Sequence, residues 1–275
     1  KKFLSKLLTM LLAVSMVLTL LPVTAMADYD DDGTAATDTA DNYYRIVHLD
    51  CGRKYFTKDW IIALMTEAKA AGYNQIQLAF GNKGLRFLLD KMEVTVNGTT
   101  YSSNAVTEAI QAGNKDYYDA GEANELTESE MDAILAAAKT IGIEVIPLFN
   151  TPFHMEAVIT AMGELGIDTP YYDSNKACLN LSNDTAANFV KAFMQKYVDY
   201  FNGKGCKYFS FGADEYTGGW NNTFYSYANE ISSMITTAGM TPRVFNDSYR
   251  NDSKTYIDDV DEVCYWYTGY SGNLY

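Results

Sequence analysis

The stretch TESEMDAILAAAKTIGIEVIPLFNTPFHMEAVITAMGEL, residues 127–165, reads as helix, strand and helix in succession. Thr127 with Glu130 forms a capping box, in which each side chain satisfies a backbone N–H that a helix start leaves orphaned. Gly142 ends that helix, because glycine enters the left-handed conformation without steric cost. IEVIPLF (143–149) is too short and too rich in β-branched residues for a buried helix, so it is predicted as a strand. A second helix is predicted from His154 to Leu165. A strand held between two helices pairs with parallel neighbours, because only a crossover helix can return the chain to the same end of a sheet.

The same alternation runs outward in both directions. Strands are predicted at RIVHLDCG (45–52), NQIQLAF (74–80), KYFSFG (207–212), TPRVFN (241–246) and EVCYWY (262–267), and helices over 58–71, 184–201 and 224–238. The strands are near-continuous apolar runs, as expected where both faces of a sheet are covered. The fold class is α/β. A (β/α)8 TIM-type barrel fits best, truncated after about six strands. An open doubly wound sheet is the alternative, although no glycine-rich phosphate fingerprint follows the first strand. Segment 81–126 is too long for a plain connection. Within it, MEVTVNGTTY (92–101) carries Asn97-Gly98 between β-prone residues, the signature of a β-hairpin. This insertion follows the second strand and is expected at the barrel's C-terminal face.

The chain opens with KKFLSKLLTMLLAVSMVLTLLPVTAMA (1–27): a basic start, an apolar run and a small-x-small ending. This is the pattern of a secretory signal peptide, and the apolar run is short for the roughly 20 residues of a membrane span. Residues 28–42 are expected to be a disordered acidic linker. Asp28, Asp30, Asp32 and Gly33 imitate the start of a calcium loop. Thr39 stands where a bidentate glutamate is needed, so a solvated linker is the better reading. Residues 43–275 form the barrel.

The formal charge is −14 with the leader's three lysines included. Such acidity argues against nucleic acid and anionic membranes as partners. It suits a secreted or cell-surface protein with a neutral or cationic substrate. Cys51, Cys178, Cys206 and Cys264 match no zinc spacing and read as free thiols. With only His48 and His154, no metal and no cofactor are expected.

In a parallel barrel, residues just past the strand ends converge on one rim. After the first strand come Asp50 and Arg53. After the third come Asn150 and His154. KYFSFGADEYTGG (207–219) ends its strand at Gly212 and then sets Asp214 beside Glu215. Asn246 and Asp247 follow the fifth strand, and Trp266 lies at the sixth. Neighbouring strand residues point to opposite faces. Both acids can therefore face one pocket only if the strand breaks after Gly212-Ala213.

The segments RIVHLDCGRKYFTKDWI, VIPLFNTPFHMEAV, FSFGADEYTGG, PRVFND and CYWYTG, in this order, resemble glycoside hydrolase family 20. Together with GNKGLRFLLDKMEVTVNGTTY, they are most similar to the surface-attached exo-β-N-acetylglucosaminidases of Gram-positive bacteria. The resemblance implies an exo-acting β-N-acetylhexosaminidase that removes terminal β-linked GlcNAc or GalNAc from glycans. It implies substrate-assisted hydrolysis, with Glu215 as general acid and then base. Asp214 would hold the acetamido N–H and balance the charge of an oxazolinium. Arg53 would bind sugar hydroxyls, Trp266 would wall the acetamido pocket, His154 would orient the acid, and Asn246 and Asp247 would complete the sugar site. The usual carboxylate-separation rule does not apply to this chemistry. A glycan-binding or adhesion module on the same fold, and a lacto-N-biosidase, are the competing readings. Two departures stand out. Phe153 replaces the glycine of the family's Asp-x-Pro-Gly-His element, in which Asn150 also replaces Asp, and Phe245 stands where many members carry Trp. Family barrels continue through two more strands, so this chain by itself is expected to be poorly active.

Overall fold

A computed structural model of the chain describes residues 43–115, 124–249, 257–260 and 262–266. The leader, the acidic linker and the calcium-like motif lie outside the described residues. The described residues from Tyr44 onward belong to one compact unit. Its framework is six parallel strands: β1 (Ile46–Leu49), β2 (Gln75–Asn82), β6 (Glu144–Thr151), β9 (Tyr208–Gly212), β10 (Thr241–Phe245) and β11 (Glu262–Cys264). They are hydrogen-bonded in that order, β1-β2-β6-β9-β10-β11.

The side chains inside the sheet show that it curls rather than lying open. Arg243 of β10 donates from Nη1 to Gln75 Oε1 of β2 at 3.3 Å, and Cys264 Sγ of β11 lies 3.9 Å from Gln77 Oε1. The His48 and Phe245 rings meet edge to face at 6.4 Å. In an open twisted sheet, strands so far apart in the order could not share an interior. This is the arc of a TIM-type barrel, and the doubly wound alternative falls. One expectation needs correction. The strands are not apolar on both faces: Gln75, Gln77, Ser210 and Arg243 are buried and face inward. The Arg243 guanidinium lies 3.9 Å from the Tyr208 ring centroid and pairs with Glu262. That pairing lets a charge sit where solvent is excluded.

The outward faces pack under helices α1 (Lys58–Ala70), α3 (Glu128–Ile141), α4 (Glu156–Glu164), α5 (Asp184–Gly203) and α6 (Asn222–Thr237). Phe80, Phe149 and Phe209 meet Phe193, Tyr197 and Phe201 of α5, with neighbouring rings 5.1–6.4 Å apart. Such pairs add about 0.5–1.5 kcal/mol each beyond area burial. The Thr127 capping box is present, and Gly142 ends α3 at φ 76°. Helix α4 begins two residues later than predicted, because His154 has φ 56° and cannot open a helix.

The hairpin after β2 is real: β4 (Val94–Val96) pairs with β5 (Thr99–Tyr101). Asn97 and Gly98 at its tip both have positive φ, as the tight turn requires. It packs outward on α5, with Tyr101 against Phe189 and Asn97 on Thr185. None of its residues lines the cavity described below. Helix α2 (Ser103–Asn114) and the hairpin β7 (Tyr171–Tyr172) with β8 (Asn175–Leu179) were not foreseen. The four cysteines are free thiols, and burial pushes that of Cys206 up to about 12. Among the described residues, no helix is long and apolar enough to cross a membrane.

Candidate active site

The C-terminal ends of the strands surround a cavity of about 640 Å³, lined by Arg53, Asn82, Asn150, His154, Asp214, Glu215 and Trp266 among others. The decisive local event is at the end of β9. Ala213 N–H donates to Phe211 O at 2.8 Å, closing a tight turn centred on Gly212 at φ 67°. That region costs glycine little and other residues much more. Ala213 and Glu215 follow with φ 58° and 54°. The turn breaks the strand's alternation and aims both acids into the cavity.

The two carboxylates then occupy different environments. Asp214 is 8 % exposed, while the Glu215 side chain is 50 % exposed. Asp214 Oδ1 accepts from Asn150 Nδ2 at 2.7 Å. His154 Nε2 stands 3.6 Å from Asp214 Oδ2 and 2.9 Å from Glu215 Oε2, so one imidazole spans the pair. The loop after β6 is pinned by backbone bonds: Lys83 N–H donates to His154 O at 2.5 Å, and Met155 N–H to Ala177 O at 3.1 Å. Phe153, which replaces the expected glycine, packs on the His154 ring at 4.5 Å rather than displacing it.

Hydrogen bonds join this core to the rest of the rim. Arg53 donates through its backbone N–H and Nη1 to Asp50, both at 3.0 Å. Asn82 Nδ2 donates to Asp50 Oδ2 at 2.8 Å, and Asn150 Nδ2 lies 3.4 Å from Asn82 Oδ1. On the other side, Asp247 Oδ2 accepts from the Glu215 backbone N–H at 2.7 Å, and Asp247 Oδ1 from Trp266 Nε1 at 3.1 Å. Asn246 Oδ1 accepts from the Trp266 backbone N–H at 2.9 Å. Burial raises the Asp247 carboxyl above its ordinary range, against the two N–H donors that favour its charge. Trp266, 46 % exposed, meets Phe245 edge to face and forms an aromatic wall.

Of the strand-end residues singled out in the sequence, Arg53, Asn150, His154, Asp214, Glu215 and Trp266 line the cavity, while Asp50, Asn246 and Asp247 stand behind it, bonded to Arg53, Trp266 and the Glu215 backbone. Reading the sequence missed Asn82, the last residue of β2, and His48, which faces the cavity. The Gln77 amide meets His48 Nδ1 at 3.1 Å, and packing lowers the imidazole pKa. Among the described residues, His154, Asp214 and Glu215 also have metal-ligand spacing, with ligand atoms within 4.8 Å. An imidazole between two carboxylates also suits proton transfer.

The family model described as "Glycosyl hydrolase family 20, catalytic domain" matches residues 43–270. The chain superposes on the pneumococcal exo-β-D-N-acetylglucosaminidase StrH with a TM-score of 0.77 and 39 % identity, covering 83 % of this chain and 60 % of that one. It is 27 % identical over 165 residues to a lacto-N-biosidase of Bifidobacterium bifidum, covering 51 % of this chain and 14 % of that protein. It is 26 % identical over 172 residues to beta-hexosaminidase subunit A2 of Dictyostelium discoideum, covering 62 % and 28 %. The chain thus spans only part of the length of each relative. The family match over all of the described residues, together with the paired acids at the β9 turn, establishes that the chain belongs to glycosyl hydrolase family 20.

Proposed function

We propose that the chain carries the catalytic centre of a secreted or surface-exposed exo-acting β-N-acetylhexosaminidase, with residues 1–27 as its leader. Its substrates are glycans ending in β-linked N-acetylhexosamine. The observation that carries this reading is the contrast between the two adjacent acids: Asp214 buried, Glu215 open to the cavity, and His154 spanning both.

Protonated Glu215 donates to the glycosidic oxygen as the bond to C1 breaks. The substrate's own acetamido oxygen attacks C1 and forms an oxazolinium, so the protein supplies no nucleophile. The acetamido N–H donates to Asp214, whose charge balances the cation growing beside it. Asn150 already holds one oxygen of Asp214, which fixes the carboxylate for that task. Glu215, now a carboxylate, takes a proton from water, and the water oxygen attacks C1. The oxazolinium opens, with net retention at C1. Trp266 and Phe245 wall the sugar, and Arg53, held by Asp50, meets its hydroxyls.

Glu215→Gln tests this reading. Turnover of a 4-nitrophenyl N-acetyl-β-glucosaminide should fall by about 10²–10⁴-fold, the usual contribution of a general acid, with sugar binding kept. Unchanged turnover would overturn the assignment.

A further inference from the structure

We infer that Asp247 is a positioning residue rather than a sugar ligand: its carboxylate ties the loop carrying Glu215 to the aromatic wall formed by Trp266. This rests on the functional reading above. Asp247 is buried, and both of its oxygens are engaged by N–H donors from separate parts of the rim. One donor is the backbone of Glu215, a residue held at φ 54°. A side chain reluctant to take that conformation needs an external anchor to stay in it. With half of the Glu215 side chain open to the cavity, its direction is set by that backbone anchor and by His154. The other donor is the indole of Trp266, just past β11, the edge strand of the described sheet. Asn246, the neighbour of Asp247, takes the Trp266 backbone N–H. Consecutive residues on the short helix α7 (Asn246–Tyr249) thus hold the wall twice and the acid once.

Only a carboxylate does this. It accepts on both oxygens, whereas an amide of the same size accepts on one and turns N–H groups toward the second donor. Asp247→Asn therefore separates acid from wall with little change of volume.

The discriminating measurement compares leaving groups in the enzyme that carries this domain. A β-linked N-acetylglucosamine disaccharide needs the acid's proton, whereas a 2,4-dinitrophenyl N-acetyl-β-glucosaminide leaves almost unaided. For Asp247→Asn, kcat/KM on the disaccharide should fall by about 100-fold, and on the dinitrophenyl substrate by less than about 5-fold. Equal losses on both substrates, or none on either, would overturn the inference. If Asp247→Asn does not fold, Trp266→Phe carries the test. It keeps a ring but loses the indole N–H, and should again penalise the disaccharide more. A change confined to KM, equal for both substrates, would refute it. Failure of the unaltered enzyme on both substrates would overturn the functional reading, a distinct result.

Discussion

At Gly212 one residue's conformational freedom decides the chemistry. Its positive φ ends β9, and a Cβ there would run into Asn150 Oδ1, the side chain that holds Asp214. Gly212→Ala should therefore cost on the order of 1–3 kcal/mol in denaturant unfolding, from backbone strain and the displaced amide. It should also abolish turnover. Normal stability and activity in that variant would contradict the role given to the turn. Asp214 and Glu215 were legible in the sequence because two acids follow an alternating strand at a glycine. Asn82 and His48 were not. His48 sits within a predicted strand, where which alternate residues face the barrel interior depends on curling and register, which a single sequence does not display, and Asn82 lies two residues past the predicted end of its strand, in the segment read as an insertion.

Among the elements, local rules worked where a side chain satisfies its own backbone. The capping box at Thr127 and the glycine stop at 142 gave α3 almost to the residue, and Asn97-Gly98 gave the β4–β5 turn. They failed where tertiary contacts override local preference. His154 is held out of α4 by its bonds to Lys83 and Glu215, so the helix starts late although the pattern around it is helical. Hairpin β7–β8 is only two residues against five, too short for periodicity to register. Thr127→Ala should cost about 1 kcal/mol of stability through the lost cap. It should leave kcat unchanged, since no residue of α3 lines the cavity. A drop in kcat with stability intact would show that this helix reaches the site by a route not described above.

At the scale of the molecule, the parallel framework was legible from strand-helix alternation. The barrel was preferred to an open sheet there too, but the side chains that carry the curl were not legible: Arg243, Gln75, Gln77 and Cys264 meet across the interior. Among the described residues the sheet has edges at β1 and β11. Open edges expose unpaired backbone groups and invite association.

In the proposed mechanism the substrate supplies the nucleophile while Asp214 and Glu215 steer and protonate. Replacing the substrate's acetyl group by mono-, di- and trifluoroacetyl weakens the carbonyl oxygen as a nucleophile and leaves the leaving group untouched. In the enzyme that carries this domain, kcat/KM should fall steeply with each added fluorine. Rates indifferent to fluorination would mean that a protein carboxylate or water attacks C1 directly, and the account would fail.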